Sequence, residues 1–305
     1  MTYRFTATRA DGTETELPQP AEARFDAAED APADAFQATF PLEKSFGTLV
    51  RLRVSGPGGE TLFTGTADAQ REIVSGAGNM LRLTCRSLAG LLLDSAPVPE
   101  TVCFPSLATI FEKHILPYGF SGFLGSGAVF REPFRIARGM SEWSAAAGFC
   151  EKYLRAAPRV RGTVFDASGE APGGKLTLDN ETGTRYFRAE VRGRCCDRLT
   201  EVYAPDAATG VYRLLARDGE TAAMGLLRKR CLSGAAADAG ALLAKARRSA
   251  FAVYADCPGA PEVPVGAAAS LNDPVLGYFG GLTVARLRCD CDAEGLRTGY
   301  CLRRG

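Results

Sequence analysis

Along the first third of the chain, apolar and polar residues alternate with a period of two, the pattern of half-buried strands. Residues 3–8 and 13–17 alternate on either side of Ala10-Asp11-Gly12, a hairpin signal. Residues 36–40, 49–54, 61–65 and 80–85 are further short alternating runs, separated by turn formers at Gly56-Pro57-Gly58-Gly59 and at Ser75-Gly76-Ala77-Gly78-Asn79. Many short strands with close turns predict a small barrel or sandwich. The stretch 26–34, rich in Ala, Asp and Glu, is expected to be a loop.

The period changes in the middle of the chain. Leu107, Ile110, Phe111 and Ile115 have helical spacing over 106–115, and Pro117 and Gly119 stop that helix. A second helix is expected over 141–155, with Ser141 as N-cap and Trp143, Ala147, Cys150 and Leu154 as its apolar stripe. Strands at 160–166 and 175–178 bracket a turn at 168–174. The last third returns to alternation at 190–203 and 210–217, with a helix at 237–248 and a strand at 250–256. It closes with a hairpin, 282–292 and 296–303, around Asp292-Ala293-Glu294-Gly295. On that hairpin Ala285, Leu287, Cys289 and Cys291 share one face against Arg286, Arg288, Asp290 and Asp292, and Leu296, Thr298, Tyr300 and Leu302 share an inner face. The fold class is therefore α+β, mainly β: β, then a small α+β unit, then β. One run does not fit a single element. In Cys85 to Thr101 (CRSLAGLLLDSAPVPET) a strand gives way to a very apolar turn of chain. Ser87 is expected to cap a short helix there, with Leu88, Leu91 and Leu92 plugging the open end of the barrel before Pro97 and Pro99 lead onward.

Composition narrows the function classes. The chain has 305 residues, 46% apolar and 23% charged, with 36 Lys plus Arg against 35 Asp plus Glu, for a net charge of +1. That balance gives no overall attraction to nucleic acid or anionic lipid. No apolar run approaches the ~20 residues that span a bilayer, and the polar, alternating start lacks the form of a signal peptide; the expectation is a chain made in the cytosol. The ten cysteines are scattered and include no CxxC pair. Cys289 and Cys291 are expected to act as small apolar side chains, and the adjacent Cys195 and Cys196 to point to opposite faces of a strand.

No catalytic constellation emerges. His114 is the single histidine, so a Ser-His or Cys-His device would have to use it; it sits at a helix end, where the dipole favours it. Ser144 and Cys150 lack a nearby base, and there is no GxSxG. Gly56 to Gly59 opens no helix, and Gly122 to Gly127 lacks the Lys-Ser/Thr of a phosphate loop. Asp68 and Glu72 fit ordinary surface charge better than a glycosidase pair. Arg228-Lys229-Arg230 and the 245–248 cluster lack interleaved aromatics and fit solvated faces. No catalytic, cofactor-binding or metal-binding residue is assigned.

The order of several short motifs resembles that of phage tail baseplate hub proteins of the late-control-D type, found in contractile tails and related to the base of type VI secretion spikes. The residues are Asp30 to Pro41 (DAPADAFQATFP), Leu62 to Asp68 (LFTGTAD), Leu83 to Asp94 (LTCRSLAGLLLD) and Ile115 to Phe120 (ILPYGF). They continue with the Trp143 helix and its glycine-turn hairpin into Lys175-Leu176-Thr177-Leu178, then Val265-Gly266, Gly281 to Val284, and Glu294 to Thr298. The resemblance implies two small β-barrel domains, 1–95 and 179–305, flanking an α+β middle domain, 96–178, which the helical insertion 218–256 can join. It implies a homotrimer whose six barrels form a pseudo-sixfold ring joining the tail tube to the central spike, with tape-measure and baseplate wedge proteins as further neighbours. It implies a virion tail of a phage or prophage, a contractile injection system assembled in the host bacterial cytoplasm, with no cofactor, no enzymatic role and no membrane insertion. A tail-associated cell-wall hydrolase and a non-viral β-rich binding module are the alternatives.

Overall fold

Seven strands open the chain, six of them at the alternating runs: β1 (Arg4–Arg9), β2 (Glu14–Leu17), β3 (Glu22–Ala28), β4 (Ala35–Pro41), β5 (Leu49–Ser55), β6 (Thr61–Ile73) and β7 (Met80–Ser87). In this computed structural model, which describes residues 3–76, 78–233 and 238–304, they form a curled antiparallel sheet in the order β3-β4-β7-β6-β5-β1-β2. The inward positions fill a single core, including Phe5, Phe36, Phe40, Leu52, Phe63, Leu81, Leu83 and Cys85. Phe36 stacks on Phe63 at 5.4 Å, and Phe5 meets Phe40 edge-on at 5.5 Å, both favourable aromatic geometries. Asp26 to Ala28, expected in a loop, belong to β3. Glu22, Arg24 and Asp26 point one way along that strand and Ala23, Phe25 and Ala27 the other, so its period of two was present but carried by small and charged residues. Ala77, in the turn after β6, lies outside the described residues.

β6 and β7 cross closely where β6 carries Gly65. A Cβ at that position would stand 2.2 Å from the Arg86 carbonyl oxygen and 2.6 Å from the Phe63 ring. Only glycine fits there without moving backbone.

The chain then enters α1 (Ala89–Asp94), β8 (Glu100–Val102), α2 (Leu107–His114), β9 (Gly122–Leu124), β10 (Phe134–Ile136), α3 (Glu142–Phe149), β11 (Arg159–Arg161) and β12 (Val164–Asp166). Ser106 and Ser141 cap α2 and α3, each hydroxyl accepting from the amide three residues on at 3.1 Å. These elements build a second core in which Leu107, Ile110, Phe149 and Phe165 are fully buried. Leu88 and Leu92 lie in this core, with Leu91 packed against it. The leucine run therefore does not plug the barrel. It carries the last strand of this sheet into the helical core, where Leu88 and Leu92 are buried with Leu107, Ile110 and Phe149. Ser87 does not cap α1 either: the helix has no side-chain cap. The buried face of α3 is Ala145, Ala146 and Phe149, followed by Cys150 in a π-turn; Trp143 and Ala147 are half-buried flanks of that face.

These elements, residues Met1–Pro172, together with Arg288–Arg297 make up one compact unit; Gly173–Leu287 with Thr298–Gly305 make up another. The second contains β13 (Lys175–Leu178), β14 (Arg188–Gly193), β15 (Glu201–Pro205), β16 (Tyr212–Arg217), α4 (Gly219–Ala223), β17 (Lys229–Cys231), α5 (Ala239–Ser249), β18 (Phe251–Pro258), β19 (Ala268–Asp273), and most of β20 (Gly277–Asp292) and β21 (Gly295–Arg304). Its main sheet runs β14-β18-β21-β20-β19-β13. That succession repeats β3-β4-β7-β6-β5-β1 strand for strand, although β13 runs parallel to β19 where β1 runs antiparallel to β5. β13, read with the middle segment from the sequence, is thus part of this sheet. A small sheet, β16-β15-β17, stands apart from it and covers one face with α5 through Val202, Ala239 and Leu243. Asp238 caps α5, and Ala237, the expected start of that helix, lies outside the described residues. Cys195 and Cys196 fall in a 3₁₀ turn with both residues exposed, not in a strand, because β14 ends at Gly193. Thr298, Tyr300 and Leu302 are buried along β21 as their alternation predicted.

The close strand crossing gives a direct expectation. Gly65→Ala should destabilise the protein by about 3 kcal/mol, the scale of severe overpacking. Gly76→Ala, at a position with open space around it, should be neutral. Urea unfolding of the two variants against the parent protein measures the difference.

Candidate functional site

Three of the motifs that carried the family resemblance, 30–41, 62–68 and 83–94, meet at Arg86 and Ser87. The Arg86 guanidinium bridges two carboxylates. Nε and Nη2 donate to Asp68 at 2.5 and 3.2 Å, and Nη2 and Nη1 donate to Asp94 at 2.5 and 3.3 Å. Asp68 comes from β6, Asp94 from the end of α1, and Arg86 from β7 between them. The neighbouring Ser87 accepts from the Asp34 amide at 3.0 Å, while its own amide donates to the Asp34 carbonyl at 2.8 Å. This bond takes the hydroxyl that the sequence suggested as a helix cap. The fork geometry suits Arg, which can hold two carboxylates in one plane. Hydrogen bonds to Asp68 and Asp94 push the Arg86 guanidinium pKa up, and Arg86 in turn lowers that of Asp94. Burial pushes the Asp34 carboxyl up to about 6. The cluster joins three elements, and both of its carboxylates, Asp68 and Asp94, are engaged by Arg86.

His114 is the second cluster. It ends α2 as expected, but it is buried and both ring nitrogens are engaged. Nδ1 is 2.8 Å from Glu142 Oε2 and Nε2 is 3.2 Å from Glu100 Oε1. Tyr118 donates to the other Glu142 oxygen at 3.2 Å, and Lys113 donates to Glu100 at 2.9 Å. Lys113 and, less strongly, His114 hold the Glu100 carboxyl below its ordinary range. No local pattern marks this network, because its acids come from other elements, Glu142 from α3 and Glu100 from β8. Chemically it is closed: an imidazole with a carboxylate on each nitrogen has no position from which to take a proton from a serine or cysteine.

The remaining candidates separate. Among the described residues no group of three or more His, Cys, Asp or Glu side chains is placed to hold a metal ion. Cys85, Cys150, Cys257 and Cys301 are buried thiols, Cys289 and Cys291 are half-buried, and Cys103, Cys195, Cys196 and Cys231 are exposed. Burial pushes Cys85, Cys150 and Cys257 up to about 12, far from a reactive thiolate. Arg247 is paired with the Asp218 carboxylate at 2.9 Å, Lys229 lies over the Tyr203 ring at 5.6 Å, and Arg228 donates to the Cys196 carbonyl. Asp68 is committed to Arg86, and Glu72 accepts from the Phe46 amide at 3.0 Å, so the two do not face each other across a cleft. A groove of about 440 Å³ over β1, β2 and β5 is walled by Arg4, Glu14, Glu16 and Arg53, and a cavity of about 250 Å³ over β14 and β18 by Arg192, Arg194, Tyr254 and Arg303. Neither has the apolar enclosure of a small-molecule site. Exposed apolar side chains instead gather at strand edges and turns, among them Val211, Tyr212, Leu214 and Leu215 at β16 and Val74 after β6. Such positions suit contacts with other proteins. Among the described residues no helix is long and apolar enough to cross a membrane.

Removing the histidine should expose what the second cluster does. In His114→Ala the Glu142 carboxylate keeps only Tyr118, and the expected loss is about 3 kcal/mol for a buried charge without its partner. Adding Glu142→Gln should recover part of it. Thermal unfolding of the single and double variants reports both effects.

No protein-family model matches the chain, and no curated protein matches its sequence. Solved structures do match its fold. A tail protein from Neisseria meningitidis MC58 superposes with a TM-score of 0.74 at 18% identity, over 100% of this chain and 97% of that one. The 43 kDa tail protein of prophage MuSo2 from Shewanella oneidensis gives 0.73 at 15% identity, over 99% and 97%. An E. coli component of the type VI secretion system, described as structurally similar to the T4 tail proteins gp27 and gp5, gives 0.59 at 10% identity, over 100% and 77%. The mainly-β fold with its helical middle is thus that of phage tail proteins and of type VI spike-related proteins.

Proposed function

From this shared fold, we propose that the protein is a structural baseplate hub of a phage or prophage-derived tail. In this reading three copies form a pseudo-sixfold ring that joins the tail tube to the central spike. The observation that carries it is the internal repetition: β3-β4-β7-β6-β5-β1 and β14-β18-β21-β20-β19-β13 share one strand order within one chain. Three chains with two equivalent barrels each supply six similar faces to a sixfold tube while keeping threefold symmetry for a spike. The barrels are 1–95 and 179–305, the second completed by β13 from the end of the segment 96–178, whose remainder is the middle domain. The partners are a second and third copy, the tube protein and the spike protein, with tape-measure and wedge proteins beside them. The location is the virion tail baseplate, assembled in the bacterial cytoplasm.

The role is mechanical, and the protein is not an enzyme. Closed clusters such as Asp68–Arg86–Asp94 and Glu100–His114–Glu142 support this, since they commit the chain's single histidine and four carboxylates to holding elements together. Force passing from tube to spike would be borne by sheets and by obligate interfaces on the order of 2,000 Å² or more. The test is reconstruction of assembled tail particles containing this chain. Three copies at the junction of spike and tube are expected, and particles with the chain absent from that junction would overturn the proposal.

A further inference from the structure

The cavity of about 250 Å³ over β14 and β18 lies within the second unit, and its walls are cationic. Arg192 lines it from β14, Arg194 from the residues just after β14, Arg303 from β21 and Tyr254 from β18. Asp197 of the 3₁₀ turn and Ser249 at the end of α5 complete the wall. Three guanidiniums therefore share one concave space with one carboxylate, an excess of two positive charges.

Helix capping does not account for these arginines. The end of a helix attracts cations because its last carbonyls lack partners, but at the end of α5 those carbonyls are bonded by other donors. Lys245 accepts from the Ser249 hydroxyl at 3.0 Å, and Ala246 accepts from the Ala250 amide at 3.1 Å. The Ala250 carbonyl accepts from the Arg194 amide at 2.8 Å, a backbone bond. The nearby acids do not use the forks up either. Glu190 accepts from Nε and Nη2 of Arg192 at 3.0 and 2.8 Å, and Asp197 meets Arg194 at Nε, 3.1 Å away. Neither acid takes Nη1 of Arg192 or the two Nη groups of Arg194. Arg192 is also steadied from the side, its guanidinium lying over the Tyr254 ring at 4.6 Å. A cation already fixed between a carboxylate and a ring loses little freedom on taking a ligand.

We infer that this cavity binds a small doubly charged oxyanion, a phosphate or a phosphate ester, through the Nη groups of Arg192 and Arg194 together with Arg303. Planar guanidinium forks match the paired oxygens of a phosphate group, and the excess of two positive charges matches a dianion. Such a ligand needs donors and charge rather than apolar walls. The walls come from three strands of the main sheet, from the 3₁₀ turn and from the end of α5, so a bound anion would fasten these parts of the unit to one another.

The test titrates the full chain with inorganic phosphate, and separately with methyl phosphate, at constant ionic strength and at a mildly alkaline pH where both are doubly charged. Calorimetry should show saturable binding of one anion per chain, thermal unfolding should shift upward, and acetate should do neither. Tighter binding of methyl phosphate marks an esterified ligand, and tighter binding of phosphate marks the free ion. Arg194→Gln and Arg303→Gln should each weaken binding by about tenfold or more, the loss of one charged hydrogen-bond donor. Asp197→Asn, which removes the one carboxylate in the wall, should tighten it, a gain that a misfolded chain could not produce. Arg213→Gln, on β16 and outside the cavity, should leave it unchanged. Absence of saturable binding, or binding equal in the parent and both cavity arginine variants, would overturn the inference.

Discussion

The first unit depends on the place where β7 leaves the barrel. Gly65 lets β6 pass against the Arg86 backbone with no side chain between them, and the Arg86 side chain then grips Asp68 behind it and Asp94 ahead of it. Two residues later Leu88 is already in the helical core. The sheet and the helices are thus joined within a few residues by a steric requirement and a charge requirement acting together. Either alone would be weak. A half-exposed ion pair is worth little in water, and a glycine in a strand costs conformational entropy. Together they fix the direction in which the chain departs, and that direction decides where the leucines go.

Much of this was legible in the sequence, and the reasons for the rest are specific. Alternation located β1, β4, β5, β7 and β21, because each has large apolar residues on one face and polar ones on the other. It failed for β3, whose inward face offers Ala23, Phe25 and Ala27 and whose composition mimics a loop. The serine cap at Ser141 was readable because capping is local, and Ser106 caps α2 in the same way. At Ser87 the same local signal misled, since its hydroxyl accepts from the Asp34 amide, just before β4. The leucine run was correctly seen as buried structure but given to the wrong core. Which of two cores a short helix joins depends on residues 107 to 167, and no local pattern encodes that choice. His114 shows the same limit: its position at a helix end was visible, and its carboxylate partners were not. The convergence of Asp68, Arg86 and Asp94 could be suspected only from the order of the motifs.

Repetition of a strand order with little residue-level repetition is what physical constraints alone would leave. The core positions keep their apolar character, Phe36 in one sheet and Val253 in the other, while exposed positions are free to diverge. Charges diverge most where the contacts differ: Glu22, Arg24 and Asp26 along β3, against Arg188, Glu190 and Arg192 along β14. A chain with two near-equivalent halves can present similar faces without being symmetric, which suits a protein placed between assemblies of different symmetry.

The central claim is that the first barrel and the helical core form one mechanical body coupled at Arg86. Native-state amide hydrogen exchange on the full chain carrying Arg86→Ala tests it most directly. The account predicts that amides of β7 and of α1 lose protection together and by similar factors, because one joint holds both. Protection lost in α1 alone, with β7 unchanged, would contradict it.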